Sequence, residues 1–340
     1  MSRILITGAN GFIGANIVRA ALKNDYKVKA YVRKTSNLQT LKNLPIEYAY
    51  GDLRDTKALS NAMEDCEYII HGGALYTFLP MWFWTDPQKI DEMYEVNVWA
   101  TDRLMKRALE KGIEKVIFTS SESAVGMPSG DTLGDETRFA TQEELPGHYK
   151  RSKYLGELVT LKWHRRGLAT CSILPTVPIG PYDVKPTPTG RIIQDFMNGK
   201  MPGFVDTRMN IVHVRDVATA HVLAIENGIS GERYIAGNKN MSFRDFLRLI
   251  ADVAGKKAPY FSFPKILAQI FAFFDEFYSC TIQNKLPKTP LESVAAAEYR
   301  IFDCSKAWKE LKMPRTNIRL AIKEQIEWFE KNGYLINRKK

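Results

Sequence analysis

The chain has 340 residues, 48 Lys+Arg against 38 Asp+Glu and 45% hydrophobic residues, which excludes a collagen-like, coiled-coil or disordered protein. At about 150 residues per domain the length fits two domains or one large α/β unit. There is no apolar run of about 18 residues, and the opening MSRILITGAN lacks a basic segment followed by an apolar stretch, so a cytoplasmic protein with neither signal peptide nor spanning helix is expected.

The net charge of +10 is concentrated late in the chain, where residues 254–340 carry 16 Lys/Arg and 9 Asp/Glu. These cations are scattered, so the reading is no nucleic-acid partner but a phosphate-bearing ligand or an acidic surface. Cys66, Cys171, Cys280 and Cys304 are widely spaced, which suggests free thiols and neither a metal site nor a disulfide framework.

Arg3–Thr7 is an apolar strand that runs into glycines, and Phe12–Lys23 follows with one apolar helical face. Strands at Val28–Val32, Tyr68–His71, Lys115–Ser120 and Thr170–Leu174 alternate with helices near Thr56–Asp65, Tyr94–Lys111 and Ser152–Arg166. Such alternation predicts a Rossmann-type, doubly wound parallel sheet. After Leu174, prolines at 175, 178, 181, 186 and 188 rule out a continuous helix. Short elements then include helices Phe243–Val253 and Ile318–Phe329. Residues 1–174 are read as the NAD(P)-binding domain with segments returning from later in the chain, and 175–335 as mainly a smaller, interleaved substrate-binding domain.

Between the first strand and helix lies Gly8-Ala9-Asn10-Gly11-Phe12-Ile13-Gly14. Gly8 permits the tight turn, Gly11 lets the backbone approach a pyrophosphate, and Gly14 lets helix and strand pack closely. The exposed N–H groups and the helix dipole then hold the phosphates, with Asn10, Phe12 and Ile13 completing the loop. The second strand ends Tyr31-Val32-Arg33-Lys34-Thr35-Ser36, with two cations and no acid. A carboxylate there would favour NAD, whereas Arg33, with Ser36 beside it, favours the 2′-phosphate of NADP. NADP(H) is the expected cofactor and NAD the alternative.

Tyr149 and Lys153 are four residues apart, on one face of a helix. An ammonium beside a phenol stabilises the phenolate, bringing its pKa towards the range useful for acid–base catalysis. Upstream, the strand that includes Thr119 ends in Ser120, Ser121 and Ser123.

The G-x-x-G-x-x-G spacing, the hydroxyl-rich strand end and Tyr149-x-x-x-Lys153 resemble the extended short-chain dehydrogenase/reductase family, over residues 3 to about 330. The resemblance implies hydride exchange at a nicotinamide, with Tyr149 moving the substrate proton, Ser121 holding the substrate oxygen and Lys153 binding ribose. It implies that Asn97, in Asn97-Val98-Trp99-Ala100-Thr101, supports the lysine through a water, although Ala100 stands where the family has glycine. Asp52 and Leu53 resemble the adenine-edge contact. Gly73 and Ala74 follow the strand ending in His71, and Thr119, Pro175 and Thr176 lie in segments that pass the cofactor; His71 itself reads as a packed residue. A dimer built on two helices of the nucleotide half is also implied.

The stretch Asp183–Ile193, together with His148–Lys153 and Asn210–Val217, looks like the hopanoid-associated sugar epimerase group, which is similar to dihydroflavonol 4-reductases and 3β-hydroxysteroid dehydrogenases. A dehydratase needs an acid pair after the catalytic hydroxyl, but Glu122 is followed by Ser123. A tightly held NAD, as an epimerase needs, is disfavoured by Arg33. The expectation is therefore a reductase or dehydrogenase of a ketone/secondary-alcohol pair. A nucleotide-sugar epimerase and a non-catalytic NADP sensor are the alternatives. Tyr76–Trp84 is rich in aromatics and reads as a pocket wall for an apolar, polycyclic or sugar substrate, or as packing. The stripe Ile266, Ile270, Phe273, Phe274 and Phe277 within Phe263–Tyr278 reads first as core or dimer contact. Membrane-surface contact drawn by the neighbouring cations is its second reading.

Overall fold

Runs of Ile, Val, Leu and Tyr form parallel strands when helices cover both faces of their sheet. The computed structural model describes residues 1–336 except 78, 81–85, 129–131, 284, 286, 288–290, 292–293 and 295–299. Its strands are β1 (Arg3–Thr7), β2 (Lys27–Val32), β3 (Glu47–Tyr50), β4 (Tyr68–His71), β5 (Lys115–Thr119), β6 (Thr170–Pro175), β7 (Val177–Ile179), β8 (Gly203–Val205), β9 (Arg208–His213), β10 (Arg233–Ala236), β11 (Lys239–Ser242) and β12 (Phe261–Phe263). Among the described residues, seven of them pair in parallel in the order β10-β6-β5-β4-β1-β2-β3. This is a Rossmann sheet, with its switch point between β1 and β4. A three-stranded sheet, β11-β9-β7, and the pair β12-β8 lie outside it.

The helices are α1 (Phe12–Lys23), α2 (Thr56–Ala62), α3 (Pro87–Tyr94), α4 (Ala100–Glu110), α5 (His148–His164), α6 (Pro188–Met197), α7 (Val214–Asn227), α8 (Phe243–Ala254), α9 (Lys265–Phe277), α10 (Ser305–Glu310) and α11 (Ile318–Lys331). Alternation along β1 shows how the sheet is sandwiched. Ile4 and Ile6 pack with Ile17 and Val18 of α1 and Val217 of α7, whereas Leu5 packs on the other face with Leu104 of α4 and Trp163 of α5. A separate core joins α6, α8 and α11 through Ile193, Phe246 and Phe329.

Three expectations shift. The helix expected from Tyr94 begins as α3 at Pro87, because Asp86 caps it by accepting from the Gln88 N–H at 3.0 Å and proline suits the first helical position. A π-helical turn, Glu95–Trp99, then joins α3 to α4. Helix α5 starts at His148, not Ser152, after Gly147 at φ +82°, so Tyr149 sits in its first turn. Finally, the aromatic stripe of α9 is not core. Ile266, Ile270, Phe273, Phe274 and Phe277 are exposed, and the helix buries Ala272 and Glu276 instead.

Candidate active site

The glycine loop has no room for side chains. Gly8 lies at φ +69°, and a Cβ on it would come within 2.8 Å of the Gly72 and Gly73 backbone; a Cβ on Gly14 would sit 2.1 Å from the Gly8 carbonyl oxygen. Gly11 caps α1, donating its N–H to the Gly8 oxygen at 2.9 Å, and the first turn has neither a capping side chain nor an acid. The N–H groups there, at Phe12 and Ile13, would thus meet a cofactor's phosphates without a competing carboxylate. These residues fit a dinucleotide.

Around the loop, the Thr40 hydroxyl donates to the Asn10 carbonyl at 3.2 Å and the Asn10 amide reaches the Asn37 carbonyl at 3.4 Å. Arg33 is exposed, and the turn after β2 is closed by the Ser36 N–H on the Arg33 oxygen at 2.9 Å. Arg54 holds Asp52 through two bonds of 2.8 and 2.9 Å. That ion pair keeps the carboxyl below its ordinary pKa, and the Arg33 charge adds to the effect. Leu53 packs against Gly73, where a Cβ would lie 2.9 Å from its methyl group. Ala74 is exposed beside them.

His71, fully buried at the end of β4, is an uncharged link in a hydrogen-bonded chain. Thr7 Oγ1 accepts the Gly73 N–H at 3.0 Å, so its own proton goes to His71 Nδ1 at 2.7 Å. Thr101 Oγ1 donates to the Asn97 carbonyl at 2.9 Å, so it accepts the His71 Nε2 proton at 3.0 Å. Burial, with the Lys153 charge acting the same way, lowers the imidazole pKa to about 3. The chain ties the cofactor side of the sheet to the π-helical turn.

Four side chains at the end of β5 and just after it are committed. The Thr119 hydroxyl bonds His221 Nε2 at 2.9 Å, because His221 Nδ1 donates to the Val217 carbonyl at 2.8 Å. The Ser120 hydroxyl donates to Glu157 Oε2 at 2.5 Å. Ser123 donates both its N–H, at 3.2 Å, and its hydroxyl, at 3.0 Å, to Ser121 Oγ. Glu122 is paired with Arg300 Nε at 2.5 Å, and Arg300 also donates to the Glu122 and Val125 carbonyls. Ser121 accepts twice, and among the described residues its proton has no acceptor. It is the hydroxyl of this loop able to donate outward.

Lys153 lies one turn beyond Tyr149 on α5, buried, with Nζ donating to the Thr119 carbonyl at 2.5 Å. The half-buried Tyr149 ring meets Tyr76, with centroids 4.6 Å apart. Leu79 is buried, while Phe78 and Met81–Trp84 of the aromatic stretch lie outside the described residues. Asn97 is held by direct bonds to two segments. Its Nδ2 donates to the Leu75 carbonyl at 3.1 Å and the Ser152 hydroxyl at 2.9 Å, and its Oδ1 accepts the Leu75 N–H at 2.7 Å. It clamps the segment after β4 to α5. Pro175 is buried at the end of β6, and Thr176 spends its hydroxyl on Asn210 Oδ1 at 3.0 Å.

Burial draws the Lys153 pKa down to about 8, with Glu157 opposing. In the unfolded chain the value is 10.5, so the unfolded state binds more protons between those limits. Stability therefore rises as pH climbs from about 8 to 10.5, and the burial penalty is fully present below about 8. We expect cofactor-free Lys153→Met to be more stable than wild type by about 2 kcal/mol at pH 7, allowing for one lost hydrogen bond. The gap should close near pH 10.5. A lower melting temperature for the variant at pH 7 would show that the ammonium carries no such penalty.

Residues that sequence reading did not single out set this geometry. Glu157, buried on α5, takes a 2.5 Å bond from Arg233 Nε of β10. Arg233 also donates to the carbonyls of Ala124, Glu136 and Arg138, holding the turn after Ser121. Glu157 shares the Tyr149–Lys153 face at i+4 and is readable in principle; Arg233 and Arg300 have no local signal.

The model of the NAD dependent epimerase/dehydratase family matches residues 4–237. The chain belongs to that family. This bears out its resemblance to extended short-chain dehydrogenase/reductases, and the protein is an NAD(P)-dependent oxidoreductase or epimerase of that type. It is 37% identical over 336 residues to a putative dihydroflavonol 4-reductase of Synechocystis, covering 97% of this chain and 95% of that one. It is 32% identical over 334 residues to sterol demethylase protein B of Methylococcus capsulatus, covering 97% and 99%. The crystal structure of gox2253 matches with a TM-score of 0.85 and 35% identity over 99% of this chain and 100% of that one.

Proposed function

We propose that this family member is an NADP(H)-dependent oxidoreductase interconverting a ketone and a secondary alcohol. The observation that carries the reading is the commitment of the loop after β5. Glu122 is bound to Arg300 and the neighbouring hydroxyls are spent on protein groups, leaving Ser121 as donor. A loop with no free acid suits proton exchange at one oxygen and not expulsion of water from an adjacent carbon. When bound, the nicotinamide supplies or accepts the hydride. In the reducing direction Tyr149 gives its phenolic proton to the carbonyl oxygen, and Ser121 donates a hydrogen bond to that oxygen as charge grows on it. Lys153 lies one helical turn away, binding ribose and stabilising the phenolate left behind.

Substrate preference follows from two supports. Tyr76 presents an exposed aromatic face against Tyr149, and the relatives include a protein described as a dihydroflavonol reductase and one described as a sterol demethylase component. The substrate class is accordingly an apolar, polycyclic ketone or alcohol. The quaternary reading is a homodimer through α4 and α5, beside which Trp99, Leu155 and Leu158 are exposed.

The test is calorimetric titration with NADP⁺ and NAD⁺ in parallel, followed by turnover on polycyclic ketones. NADP⁺ should bind at least about tenfold more tightly, or 1.4 kcal/mol. Arg33→Ala should erase that margin and leave NAD⁺ affinity unchanged. NAD⁺ retained through purification would overturn the reading in favour of a nucleotide-sugar epimerase.

A further inference from the structure

Helix α9 is built inside out. At about 100° per residue, its two exposed rows, one through Ile266 and Ile270 and the other through Leu267 and Phe271, cover an arc of about 160°. The opposite side holds Ala272, Glu276 and Ser279, all buried. Glu276 Oε1 accepts the Leu291 N–H at 2.6 Å, which anchors that polar side to the protein. From Tyr260 to Ile282, twelve large apolar side chains are exposed, including Phe271 at 63% and Phe274 at 62%. A soluble surface rarely leaves so many apolar side chains exposed in one patch.

Charge identifies what covers it. Lys256, Lys257, Lys265 and Lys285 bracket the patch, against Asp275 and the buried Glu276 within the same span. A second copy seated by two-fold symmetry would bring the same cations together, whereas an anionic headgroup layer neutralises them. The 13 residues of α9 are too few to cross a bilayer, which needs about 20. Among the described residues no helix is long and apolar enough to cross.

We infer that α9, with the strand before it and the π-helical turn after it, docks this protein on an anionic lipid surface, lying in the plane of the headgroups with its phenylalanines in the acyl boundary. The inference stands on α9 alone and does not need the proposed reaction.

The test is flotation of the full-length protein with vesicles of phosphatidylcholine and of phosphatidylcholine mixed with phosphatidylglycerol. The protein should float with the anionic vesicles and lose that binding at high salt. Phe271→Glu/Phe274→Glu, both exposed, should cut the bound fraction by about tenfold or more and leave turnover of a water-soluble ketone unchanged. Lys257→Glu/Lys285→Glu should weaken anionic-vesicle binding with the apolar face intact. Tyr149→Phe should float like wild type, so loss of the reaction and loss of docking are read separately. Failure to float with either composition overturns the inference. So does an oligomer that dissociates in the phenylalanine variant, which would place a second copy on this face.

Discussion

Tyr149→Phe should lower turnover by about 10²–10⁴ while cofactor affinity stays within about a factor of two. The substitution removes one oxygen and leaves the ring that meets Tyr76 at 4.6 Å, so the pocket wall keeps its shape. Lys153 keeps its place against the Thr119 carbonyl, and the glycine loop is untouched. What is lost is the proton for the substrate oxygen. The comparison pairs steady-state rates on a polycyclic ketone with calorimetric binding of NADP⁺. A variant with full activity would remove Tyr149 from the chemistry, and Ser121 would then have to be reconsidered as more than an oxyanion donor. Equal loss of rate and cofactor binding would instead mean that the ring holds the nucleotide.

The nucleotide half was legible because its signals are local. The glycine spacing marks positions where an added Cβ would come within 2.1–2.8 Å of backbone in the same turn or just after the neighbouring strand, and an apolar run before it needs no distant partner to be recognised as a buried strand. The choice among Ser120, Ser121 and Ser123 was legible only through the family resemblance, which singled out Ser121, and not from the residues themselves. Three hydroxyls in four residues look alike until Glu157, 37 residues beyond Ser120, takes one and Ser123 is turned onto Ser121. Asn97 shows the same limit. Its segment resembles a family motif, but the π-helical turn that aims its amide at Leu75 and Ser152 arises where two helices merge, and periodicity does not register one extra residue in a turn. The α9 stripe stayed open between core, dimer contact and membrane surface for a related reason. Helical spacing identifies an apolar face but is silent on whether protein covers it, and here the protein covers the small and polar face opposite.

The Glu157–Arg233 pair is where breaking a single contact should cost the fold most. Glu157 is fully buried and Arg233 nearly so, and their 2.5 Å bond is supported by Ser120 on one side and three backbone carbonyls on the other. Arg233→Met leaves the Glu157 carboxylate in the interior with one hydroxyl bond and only the nearby Lys153 charge, which should destabilise the protein by about 3 kcal/mol or more. The Ala124 carbonyl loses one of its two donors, keeping only the Ala140 N–H, so the turn that begins at Ser121 loosens and turnover should fall further than stability alone explains. Glu157→Leu combined with Arg233→Met should recover much of the stability, because neither member of the pair is left charged without the other. It should not recover the rate, since nothing then fixes the turn. Denaturant titration of the two single variants and the double variant, read as a thermodynamic cycle, separates these effects. A double variant as unstable as the sum of the singles would show that the two charges do not act as a pair. One that regained both stability and rate would show that the turn after β5 holds Ser121 in place without Arg233.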